Sequence, residues 1–96
     1  MCRDLKKEVD ELRQGLEAEF KVARPTEDFR ASMILTTVRM RVLAEQFKKS
    51  QNPKERRELI NEYEKQRGSI EKGIQMLQQS RRMGSSRAIF QSGNLS

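Results

Sequence analysis

Protein chemistry rests on a few side-chain types at set spacings, and most are missing from these 96 residues. There is no histidine, the commonest general acid–base group and metal ligand. One cysteine, Cys2, cannot build a zinc site or an intrachain disulfide. Arg3 beside it would lower a thiol pKa, yet with no base nearby Cys2 reads as an incidental free thiol. Neither a GxxxxGK[ST] nor a GxGxxG loop occurs. Glu58, Glu62 and Glu71 fall on an exposed helix face among basic neighbours, not as a carboxylate pair in a pocket. Ser32 and Ser50 have no base to activate them. The expectation is a protein that is not an enzyme, with no catalytic residue, no cofactor, no metal and no small-molecule substrate.

What remains is charge and apolar patterning. The net charge is +6 and the pI about 9.9. Arg56 and Arg57 follow Lys54-Glu55, and Arg81-Arg82 precede Arg87; Arg56, Arg57, Arg81 and Arg82 are the natural contacts for an anionic partner. Most basic residues are interleaved with acids, however, and aromatics are only 5% of the chain. A nucleic-acid reader concentrates its charge on one face and adds stacking platforms. A small basic nucleic-acid-binding protein is therefore the alternative reading; binding to protein is the first.

The apolar pattern centres on residues 26–47. At about 100° per residue, Phe29, Met33, Thr36, Met40, Leu43 and Phe47 fall on one line of a helix. Ala31, Ile34, Leu35, Val38 and Val42 fall on the opposite side. Arg30, Thr37, Arg41 and Lys48 separate the two on one flank; Ser32, Arg39 and Gln46 do so on the other. A helix with one stripe covers a core, so a helix with two opposed stripes requires two covers. Either the first helix or another chain lies on Ile34, Leu35, Val38 and Val42.

The elements around this helix follow from local signals. Leu5, Val9, Leu12, Leu16 and Phe20 form one narrow stripe over residues 4–23, with Asp4 as the N-cap and Gly15 inside. Pro25 then ends the helix, and Thr26 caps the next, with Glu27 and Asp28 in its first turn. The second helix covers residues 26–49. Asn52, Pro53 and Glu55 make a strong start for a third over residues 53–83. Its stripe is Leu59, Ile60, Tyr63, Ile70, Ile74 and Leu77, interrupted by Gln66 and Arg67. Gly68 and Gly73 suggest a bend or a close approach near Ser69.

The short connections make neighbouring helices antiparallel. The predicted fold is all-α: a three-helix antiparallel bundle, or a helical hairpin with coiled-coil-like packing, in which the third helix is longest. Its last turns, residues 75–83, should project past the turn at Pro25 and expose Met76 and Leu77 beside Arg81 and Arg82. Gly84 is a natural helix stop, and residues 84–96 read as a flexible tail in which Ile89, Phe90 and Leu95 are the residues able to dock.

One domain over residues 1–83 with so few apolar residues, 34% of the chain, has a thin core. A partner chain or self-association is expected to complete it, through Ile34, Leu35, Val38, Val42, Met76 and Leu77. No run of apolar residues spans a bilayer, the N-terminus lacks the apolar core of a secretory signal, and cysteine is scarce. No membrane insertion and a cytoplasmic or nuclear location are expected.

Overall fold

The structure, a computed structural model, describes the backbone of residues 3–90 and the side chains of residues 3–80. These residues form α1 (Leu5–Ala23), α2 (Glu27–Lys49) and α3 (Pro53–Phe90), with no strand among them. Each helix packs against both others, which makes the fold a helical bundle and not a hairpin.

The expected helix starts are all present. Asp4 accepts the Lys7 amide at 3.1 Å, Thr26 accepts the Phe29 amide at 3.2 Å, and Asn52 accepts those of Lys54 and Glu55 at 2.9 and 3.1 Å. Each supplies an acceptor for amides that the first helical turn leaves without one. Between α1 and α2, Arg24 takes the left-handed conformation, φ 51°, and its amide donates to the Phe20 carbonyl at 3.1 Å. The chain thus closes α1 with an αL cap in which arginine stands where glycine is usual.

The contacts between helices have a consistent order. Lys6 and Asp10 of α1 form ion pairs with Glu45 and Arg41 of α2, at 3.2 and 3.4 Å. The Leu5 carbonyl meets the Tyr63 hydroxyl of α3, and Glu19 accepts from Gln78 at 3.1 Å. Gly73 of α3 lies against the ends of Met33 and Phe29, where a Cβ would fall 2.6 Å from the Met33 sulfur. Gly73 is the close-approach position; a Cβ at Gly15 or Gly68 would meet nothing within 4 Å.

The core holds Leu5, Val9, Leu16 and Phe20 from α1, Met40 and Ala44 from α2, and Tyr63, Ile70 and Leu77 from α3. Phe29, Met33, Leu43 and Phe47 pack at its edge, so the first stripe of α2 faces inward as expected. Two expectations need correction. Thr37, read as a polar separator, is buried with Thr36. Their hydroxyls donate to the Ile34 and Ser32 carbonyls at 2.6 and 2.9 Å, which satisfies them inside the core. And α3 does not stop at Gly84; its backbone stays helical to Phe90. A glycine inside a helix costs about 1 kcal/mol relative to alanine, and no proline follows to force the end. Residues 91–96, with Leu95, lie outside the described residues, as do the side chains of Ile89 and Phe90.

Candidate partner-binding face

Why the second stripe of α2 matters follows from where its two neighbours sit. Phe29 and Met33 point at α3, while Arg41 and Glu45 reach α1. Because α1 also touches α3, the three helices form a triangle, and both neighbours of α2 lie toward one half of its surface. Thr37 and Ala44 fall between those two directions, which is why they are buried. The opposed stripe therefore has no cover among the described residues. Leu35 is 49% exposed, Val38 44% and Val42 50%; Ala31 is exposed too, and Ile34 is tucked half-buried on the α1 side. Of the two expected covers for this stripe, α1 is not the one.

The line has a definite shape. Glu27, Arg30, Ala31, Ile34, Leu35 and Val38 line a shallow depression of about 490 Å³. Arg30 also stands over the Phe20 ring at 5.7 Å, a cation–π contact that ties this edge to α1. The face is thus carried by the α2 helix with two packed helices behind it.

The remaining predicted residues divide. Met76 is 53% exposed on α3. Leu77 is 6% exposed and belongs to the core, which removes it from the docking surface. The reason is the reach of α1: Glu19 meets Gln78, so the last turns of α1 flank residues assigned to the overhang. Projection of α3 beyond its neighbours starts later than residue 75. Arg56 is also corrected. One of its guanidinium nitrogens donates to the Phe47 and Ser50 carbonyls at 2.7 and 2.9 Å, and its plane stacks 3.9 Å over the Phe47 ring. It closes the carbonyl end of α2, where positive charge is favoured, and is not held out to an anion. Arg57 is exposed. The side chains of Arg81 and Arg82 lie outside the described residues, as does Cys2.

A cluster not singled out in the sequence joins α1 to α3. Tyr63 is fully buried, and its hydroxyl proton is shared between the Leu5 carbonyl at 3.2 Å and Glu8 Oε1 at 3.0 Å. Arg3 grips Glu8 at 2.8 Å and Glu64 at 2.8 Å; Arg67 reaches Glu8, Glu64 and Glu71. The Arg3 hydrogen bond, opposed by burial and aided by Tyr63, holds the Glu8 carboxyl below its ordinary range. Burial, then the bond to Glu8, pushes the Tyr63 phenol up. The only sequence signal for this cluster was the pair Gln66 and Arg67 interrupting the α3 stripe. Its groups are donors and acceptors contributed by both α1 and α3, so it binds these helices together. Among the described residues no three His, Cys, Asp or Glu side chains group to hold a metal, and no helix is long and apolar enough to cross a membrane.

Compared with known protein families, curated proteins and solved structures, the chain matches none.

Proposed function

We propose that this chain is a non-enzymatic protein–protein interaction module, a small helical adaptor or complex subunit of antiparallel, coiled-coil-like build. It works by burying the outer face of α2 against another polypeptide. The observation that carries this reading is the outer stripe of Leu35, Val38 and Val42, each about half exposed on α2. Full burial of one aliphatic side chain is worth roughly 1.5–3 kcal/mol, so covering the exposed halves of three gives about 3 kcal/mol. Met76 on α3 offers a secondary contact. A cytoplasmic or nuclear, reducing setting suits a chain with a single cysteine.

The charge distribution supports this reading over nucleic-acid binding. Arg3, Lys6, Arg13, Arg41, Lys49 and Arg67 are each within ion-pair distance of a carboxylate of the same chain. Arg56 is taken up by α2 carbonyls.

The test is native size. The wild type, in extracts of the cells that make it or purified at up to ~1 mM, should sediment above its single-chain mass of 11.3 kDa. Val38→Asp should fall to that mass while keeping its helical circular dichroism. A wild type that stays a single chain in both settings, or a Val38→Asp variant that keeps the larger size, overturns the reading.

A further inference from the structure

Resting on that reading, we infer that the occupant of the α2 face is a second copy of this chain, docked with its α2 running in the opposite direction about a two-fold axis at Val38. The argument is the distribution of charge along the face. At about 100° per residue, Glu27, Ala31, Val38, Val42, Glu45 and Lys49 share one line, with Ile34 and Leu35 on either side of it. Both end residues are charged with opposite sign, Glu27 at the amino end and Lys49 at the carboxyl end, and Lys49 is strongly exposed. Placing two copies antiparallel with Val38 on the axis sets Ile34 against Val42 of the second copy. It brings Glu27 opposite Lys49 of the second copy, and does so at both ends.

A second pair follows from the same symmetry. In antiparallel helices the same flanks meet, which sets Arg30 near Glu45 of the second copy. Aliphatic residues are then covered in the middle and opposite charges meet at the rim, the usual anatomy of an interface. A parallel arrangement would set Glu27 against Glu27 and Lys49 against Lys49. It would also align the two helix dipoles, which the antiparallel one opposes favourably. α3 lies on the other half of α2, and α1 borders the face at Glu45, which Lys6 reaches at 3.2 Å, leaving Leu35, Val38 and Val42 exposed.

A face one helix wide is at the small end of specific interfaces, so the dimer should dissociate at roughly ten to a hundred micromolar. The experiment is sedimentation equilibrium of the purified chain, carrying Cys2→Ser to prevent disulfide pairing, from ~1 µM to ~1 mM. The mass should rise from 11.3 kDa towards twice that value. Val38→Asp should weaken association at least about tenfold, with circular dichroism confirming that it is folded. Glu27→Lys and Lys49→Glu should each weaken it about threefold, and the double variant should recover to within about twofold, because the swap restores opposite charges across the axis. Glu58→Lys, a charge reversal on the exposed face of α3, should leave it unchanged.

A purified chain that stays single at every concentration overturns the inference, as does a charge swap that fails to restore association. If that happens while the extract still gives a large species lost in Val38→Asp, the face is an interface for a different protein and only the second copy is refuted. If the extract species is also missing, both readings fall.

Discussion

Tyr63 and Glu8 set how the molecule responds to pH. The folded Glu8 carboxyl has a lowered pKa, so its contribution is present above the ordinary glutamate value and is lost as the pH falls through the lower folded value. Wild-type stability should drop on acidification below about 4.5, and Glu8→Gln should flatten that limb in denaturant titrations taken at several pH values. For Tyr63 the sign is reversed. Its pKa is raised, so stability is complete below about 10 and is lost as the pH rises toward the folded value. Tyr63→Phe should remove that alkaline loss, at the expense of about 1 kcal/mol at neutral pH from the missing buried hydrogen bond. In a domain this small that is roughly 4–8 °C in melting temperature.

For the helices, the informative positions are those where backbone and residue type disagree. Gly15 and Gly68 lie inside helices with open space where a Cβ would go. Gly15→Ala and Gly68→Ala should each stabilise by about 0.5–1 kcal/mol, read as a higher denaturant midpoint. Gly73→Ala should not give this gain, because its Cβ must displace the Met33 sulfur from 2.6 Å; the expected outcome is neutral to destabilising. Arg24 is held at φ 51°, a conformation that costs a residue with a Cβ about 1–2 kcal/mol. Arg24→Gly should therefore raise stability by about 1 kcal/mol in the same titrations. Helix starts were legible in advance because a cap is local: Asp4, Thr26 and Asn52 act on amides two or three residues away. The far end of α3 was not, since Gly84 only weakens a helix and nothing beside it forces a stop.

For the molecule as a whole, the lesson is about direction. The two stripes of α2 were readable from spacing alone, and one does face the core. Which surfaces the neighbours would cover was not readable, because a helical pattern gives the face of one helix but not the bearing of the next. Closing α1 onto α3 as well as α2 draws both toward one side. That buries Thr37, whose polarity argued for a flank, and leaves Leu35, Val38 and Val42 open. The same uncertainty about how far α1 reaches moved Leu77 from the docking surface to the core. The contrast between the two sites is measurable. Val38→Asp should change the stability of the single chain by no more than about 0.5 kcal/mol, as surface substitutions do. Leu77→Asp buries a charge and should cost several kcal/mol, enough to abolish cooperative melting.

Tyr63 is the only tyrosine in a chain without tryptophan. All near-ultraviolet emission beyond phenylalanine's therefore originates at a point where α1 is fastened to α3, with the Glu8 carboxylate 3.0 Å away as a built-in quencher. The molecule carries its own optical probe, silent to events on the outer surface of α2 and responsive to release of the first helix, so that a stopped-flow trace of unlabelled protein reads one seam alone.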